Sequence, residues 1–240
     1  MSYNTFAWFY DNLTENVDYK VRSEYISNFF SNNDKPVKKV LDLACGTGSM
    51  VKIFEEQGYM VTGVDLSPDM LTVAASKCSN SNFLCADITD FKSNEKFDAC
   101  ICLLDSINHL KSFEDVIKCF NNVYNLLNDD GLFIFYVNTV YKHKNILADS
   151  TFVLDEEEYF LSWDNEYLGD NTVRIFLDFF VFNGISYDRY SEQFDEKAYE
   201  IDELIAALAS FKIIGIYDDL SLNPPNSESE RIFFVCRKGK

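Results

Sequence analysis

Val40-Leu-Asp-Leu-Ala-Cys-Gly-Thr-Gly-Ser-Met50 joins a buried-strand pattern to a glycine loop that opens a helix. In an α/β sheet such a junction, at the carboxyl end of a strand, is where a nucleotide-like cofactor sits. Gly46 and Gly48 let the backbone turn tightly and approach a ligand closely, which a Cβ would obstruct. A dinucleotide fingerprint wants a third small residue three positions after the second glycine. Val51 stands there, which disfavours a dinucleotide oxidoreductase. The loop instead fits Asp42-x-x-x-Gly46-x-Gly48, with Asp65 about twenty residues further on, closing the strand pattern Met60-Val-Thr-Gly-Val-Asp65. A carboxylate at that place can accept hydrogen bonds from both hydroxyls of a ribose.

Two further strand ends follow in order. Phe83-Leu-Cys-Ala-Asp87-Ile88 closes a third strand pattern, and Phe97-Asp-Ala-Cys-Ile-Cys-Leu103 runs into Leu-Asp-Ser-Ile-Asn-His109-Leu. Together with the glycine loop and Asp65, these resemble the ordered motifs of the class I S-adenosylmethionine-dependent methyltransferases. Ala44 takes the first position of the family's usual glycine triplet. The resemblance extends to small bacterial methyltransferases, among them sugar-amine N-methyltransferases, on the Ala-Cys-Gly-Thr-Gly loop, Tyr10-Asp11, Ser106-Ile-Asn-His109-Leu and an inserted β region. It implies a Rossmann-like α/β fold with a seven-stranded, mostly parallel sheet, and S-adenosylmethionine as cofactor.

The bounds set by composition agree. At 240 residues, with 47% hydrophobic and 16% aromatic content, the chain can bury a full α/β core. No apolar run approaches a bilayer-spanning length, and Met1-Ser-Tyr-Asn-Thr-Phe-Ala-Trp8 lacks a basic region before an apolar one, which predicts a cytoplasmic protein with no membrane partner. The formal net charge of -18 argues against nucleic acid, whose binders displace counterions with Lys and Arg. An acidic field favours a cationic or amine-bearing small acceptor, although acidity also serves solubility alone. Seven cysteines, with Cys85, Cys100, Cys102 and Cys236 inside strand patterns, predict reduced core thiols. No metal site is expected, because no His or second Cys pair lies at ligand spacing.

Strand patterns at 38–43, 60–65, 82–86, 98–103 and 131–138 alternate with helix patterns at 48–57, 68–78 and 113–127. That alternation predicts a parallel sheet covered on both faces, with every motif above at a strand end. Residues 1–34 carry helical spacing around Phe9, Tyr10, Tyr19, Tyr25, Ile26 and Phe29, predicting helices that reach over the cofactor cleft. Strand-like runs at Tyr159–Trp163, Thr172–Phe182 and Tyr187–Tyr190, joined by Leu168-Gly-Asp-Asn171 and Asn183-Gly184, predict antiparallel hairpins. Residues 1–149 and 200–240 then form the cofactor-binding domain, and 150–199 an inserted β layer that covers the acceptor site. The oligomeric state is not legible.

By resemblance, Ala44, Cys45, Gly46 and Gly48 admit the cofactor, Asp65 holds its ribose, and Leu66 and Met70 pack beside the adenine. Asp87 and the Ile88 amide read the adenine edge. The Leu103 carbonyl and Tyr10 or Tyr19 touch the methionyl part. His109, one of two histidines, follows the fourth strand where the methyl emerges, and a neutral imidazole can take a proton from an ammonium or hydroxyl. A loop histidine that only caps the next helix fits the same residues. Asp105, Ser106, Trp163, Tyr187, Arg189 and Tyr190 are candidates to touch the acceptor. The function expected is methyl transfer to a small molecule, at nitrogen in the first instance. Oxygen methylation and non-catalytic S-adenosylmethionine binding are the alternatives.

Overall fold

A computed structural model describes residues 7–239 other than 8, 12, 15, 16 and 158. After helical turns within 7–13, the chain runs through α1 (Tyr19–Ser31), β1 (Lys39–Leu43), α2 (Ser49–Glu56), β2 (Met60–Asp65), α3 (Pro68–Lys77), β3 (Asn82–Cys85) and β4 (Phe97–Cys102). A 3-10 turn (Ser106–His109), α4 (Phe113–Leu126) and β5 (Leu127–Asn138) follow. A helical segment over Val140–Lys142 continues as a π turn over His143–Leu147. Next come β6 (Thr151–Asp155), β7 (Tyr159–Gly169), β8 (Thr172–Phe182), β9 (Tyr187–Lys197), α5 (Ile201–Ala207), β10 (Phe211–Asp218) and β11 (Arg231–Lys238).

The first sheet has the order β10-β11-β5-β4-β1-β2-β3. β1 to β5 are parallel, and β11 pairs antiparallel with both β5 and β10. Chain order reverses between β1 and β4, so a crevice opens above their carboxyl ends. Alternate residues of each strand feed opposite cores. Leu41, Leu43, Cys100 and Cys102 pack under α4 and α5, while Val40, Val61 and Ile101 pack under α1 and α2. Local chemistry starts the helices around this crevice. Ser67 accepts from the Met70 N–H with Pro68 at the first helical position, and Ser112 accepts from the Asp115 N–H.

The second sheet, β6-β7-β8-β9, is antiparallel. The hairpin between β7 and β8 turns on Asp170 and Asn171, both at positive φ (50° and 57°), the geometry of a two-residue hairpin loop that follows the strand twist. The loop between β8 and β9 runs over 183–186, where the Asn183 side chain accepts from the Ile185 and Ser186 N–H groups. Val173, Ile175, Leu177 and Phe179 face inward with Leu161 and Phe9, while Phe182 is exposed. β7 and β9 extend well beyond the runs expected from sequence, because their polar outer-face residues mask the alternation. β5 begins at Leu127 rather than 131, and Cys85 is exposed on edge strand β3 rather than a core thiol.

Candidate active site

The glycine loop follows β1 in a strained path. Ala44, Gly46 and Gly48 have φ of 55°, 53° and 77°. A Cβ on Gly48 would lie 2.9 Å from Ala74 Cβ, so glycine lets α2 start against α3. The Gly46 N–H donates to Asp65 Oδ2 (2.8 Å) and the Ser67 N–H to Oδ1 (2.9 Å), which locks the first two motifs together. Burial raises the Asp65 carboxyl above its ordinary value, against those backbone donors. Leu104 and Asp105, after β4, also adopt positive φ, so strained residues from β1 and β4 meet across the crevice.

Between them lies a cleft bounded by Gly46, Ala44, Cys45 and Leu103, with Tyr10, Tyr19 and Arg22 from the N-terminal segment. Asp42 also lines it, and burial pushes that carboxyl well above its usual range. Burial pushes the Tyr19 phenol up to about 12, so it stays a hydrogen-bonding neutral group. The roof is tied down on both sides. Asp11 accepts from the Thr47 hydroxyl (2.5 Å) and pairs with Lys77, while Phe9 stacks on Phe179 at 5.2 Å and lies tilted against Tyr190 at 5.7 Å. The N-terminal segment thereby bridges the glycine loop and the second sheet.

At the far end of the crevice Met70 is buried and Leu66 is 68% exposed beside Asp65. Asp87 Oδ1 accepts from the Thr89 N–H and hydroxyl, and Ile88 is buried in the core. The Leu103 carbonyl accepts from the Ser106 hydroxyl (2.7 Å), which closes the turn after β4.

His109 ends the 3-10 turn, its side chain 44% exposed and its ring tilted 5.1 Å from Phe194. Behind it lies a buried polar cluster that sequence reasoning missed. Glu196 Oε1 is 3.8 Å from His109 Nε2 and Oε2 is 3.7 Å from Nε2 of the fully buried His143. The Asn138 amide donates to Glu196 (3.2 Å) and Asp105 (2.6 Å) and accepts from the buried Lys142 ammonium (2.9 Å). Burial pushes Asp105 up, and the adjacent Glu196 adds to it. For Glu196 burial acts the same way, but the two imidazoles and Asn138 more than reverse it and hold it below the ordinary carboxyl range. The cluster also docks the second sheet, since Asn108 donates to the Lys197 carbonyl and His143 Nδ1 meets the Asn171 carbonyl.

Four of the residues expected at the acceptor lie on the second sheet, and strand parity divides them. Trp163 and Tyr190 join the inward cluster. Tyr187 and Arg189 lie on the opposite face, where Arg189 pairs with Asp178 (2.7 Å) and covers Phe180. Asp42 and Asp11 stand inside motifs quoted from the sequence but were given no role there, and Arg22, Glu196, Asn138 and Lys142 carried no signal in the sequence.

Comparison with known proteins matches residues 40–131 to a methyltransferase domain family. YqeM of Bacillus subtilis (strain 168), which carries a methyltransferase name, is 33% identical over all of this chain and 98% of its own length. The crystal structure of an S-adenosylmethionine-dependent methyltransferase from Clostridium acetobutylicum ATCC 824 is similar at 33% identity, with a TM-score of 0.91 and full coverage of both chains. A dTDP-3-amino-3,4,6-trideoxy-alpha-D-glucopyranose N,N-dimethyltransferase from Streptomyces venezuelae is 29% identical over 43% of this chain and 44% of its own.

Proposed function

This chain belongs to the S-adenosylmethionine-dependent methyltransferases, and from that premise we propose that it methylates the nitrogen of a small amine-bearing acceptor, with His109 as the general base. The observation that carries the reading is a half-exposed imidazole backed by a buried carboxylate at the carboxyl end of β4, beside the cofactor cleft. The similarity to an amino-sugar N,N-dimethyltransferase supports an amine.

The residues present fit the cofactor. Ala44 to Gly48 form a cradle whose two glycines carry no side chain, and Asp65 keeps lone pairs free for ribose hydroxyls. Among the described residues lining the cleft, Arg22 is the one cation, and its buried Nε has no hydrogen-bond partner. Arg22 and the N-terminus of α2 would receive the methionyl carboxylate. Asp42 would face the ammonium group. When bound, S-adenosylmethionine supplies an activated methyl for attack opposite its sulfur. The chain's work is then alignment and exclusion of water, for which Phe9, Tyr10 and Tyr19 form the roof. His109 takes a proton from the acceptor's ammonium and frees its lone pair. Glu196 stabilises the imidazolium so formed.

Screening amines, amino sugars and phenols for S-adenosylhomocysteine release tests the reading. Turnover of amines that is lost in H109N supports it, and turnover confined to phenols or alcohols moves the acceptor atom to oxygen.

A further inference from the structure

Arg22 reaches the cofactor cleft from the first turn of α1, and what holds it there comes from the other end of the chain. Its Nη1 donates to Asp219 Oδ1 (3.0 Å) and Nη2 to Oδ2 (3.5 Å), while the Tyr136 ring lies 5.1 Å beneath the guanidinium. A carboxylate on the end and an aromatic ring on the face fix both the direction and the plane of a guanidinium. An end-on pair occupies two of five N–H donors and leaves the side edge, Nε and the outer N–H of Nη2, for a second carboxylate. Nε is buried without a partner among the described residues, so this edge awaits one.

Asp219 is itself held. It opens the loop between β10 and β11, where Leu220 adopts a φ of 49° and the Tyr25 hydroxyl of α1 donates to the Ser221 carbonyl (2.6 Å). Arg231 Nη1 stands 3.8 Å from Oδ2, so a second cation balances the carboxylate. The loop is thus fastened to the helix that carries Arg22 at two points, Asp219 and Ser221.

We infer that Asp219 is a positioning residue for the cofactor: it aims the Arg22 guanidinium so that its free edge receives the carboxylate of the methionyl group. This rests on the reading that Arg22 meets that carboxylate. The ligand class is a nucleoside-linked α-amino acid, and discrimination falls on its amino-acid end.

Calorimetric titration with two probes isolates the effect. S-Adenosylmethionine carries the carboxylate, and 5′-methylthioadenosine keeps the adenosine and sulfur without it. D219N, which preserves shape and removes the charge, should weaken S-adenosylmethionine about three- to tenfold and leave 5′-methylthioadenosine unchanged, the loss expected of a misaligned rather than an absent charged hydrogen bond. D219S, which removes the acceptor fork altogether, should show the same selective loss. Unchanged S-adenosylmethionine affinity in either folded variant overturns the inference. So does an equal loss for both probes, which would mark Asp219 as a support of the fold alone. R22Q measured in parallel separates the two layers. If R22Q loses selectivity for the carboxylate-bearing probe and the Asp219 variants do not, only the positioning role fails; if R22Q keeps it, the reading of Arg22 fails as well.

Discussion

The Glu196 carboxylate, carried in on β9, stands 3.8 Å behind the His109 imidazole at the end of the loop that follows β4. A half-exposed histidine is thereby backed by a buried carboxylate from the second sheet. H109N should lower kcat by about a hundred- to ten-thousand-fold on an amine acceptor while leaving cofactor affinity within a factor of about two, the pattern of a lost general base. Steady-state kinetics beside calorimetry checks both halves, and a mutant keeping most of its kcat would reduce His109 to a positioning role.

Glu196 also anchors the fold. E196Q keeps the shape and removes the charge that faces His143 and His109. Replacing the charged acceptor of the buried Asn138 amide by a neutral one should cost roughly 1–3 kcal/mol near neutrality. The folded-state carboxyl sits below its usual value, so this contribution is present above the ordinary glutamate range and fades as pH falls through the lowered one. Urea unfolding of wild type and E196Q should therefore converge on acidification.

Asp42 has the opposite sign. Burial raises its carboxyl, so the folded chain holds a proton that the unfolded chain releases, and stability declines as pH rises from the ordinary carboxylate range through the raised value. D42N removes this decline and should be more stable than wild type at about pH 7, yet bind S-adenosylmethionine more weakly for want of a partner to its ammonium. Thermal scans across pH, paired with titration, test the two signs together.

At Asp65, the alanine variant confounds two effects, because the carboxylate also satisfies the Gly46 and Ser67 N–H groups. D65N is the cleaner probe. It should weaken S-adenosylmethionine about ten- to a hundredfold through loss of charged acceptors to the ribose. Unchanged affinity in the folded variant would move the ribose elsewhere.

G48A places a Cβ 2.9 Å from Ala74 Cβ and 3.2 Å from Ala74 Cα at a φ of 77°. Both the left-handed backbone and the contact oppose it, so a loss of roughly 1–3 kcal/mol is expected. Denaturant midpoints report it directly.

What the sequence by itself determined is local. The strand, glycine loop and helix over 40–57, the acidic ends of β2 and β3, and the Ser67-Pro68 helix start are patterns whose physics is contained within a few residues. The Asp65 to Gly46 hydrogen bond needed the tertiary structure, since it depends on β1 and β2 lying side by side in the sheet. The β insert was legible from its turn residues. Which face Arg189 takes was not, because side chains alternate along a strand and a one-residue change of phase exchanges the two faces. The cluster of Glu196, Asn138, Lys142 and His143 joins two sheets, and Asp219 meets Arg22 from 197 residues away. No periodicity encodes such pairs. Single polar residues, each unremarkable in its own segment, acquire a partner only when packing excludes water around them, and burial then makes that partner decisive.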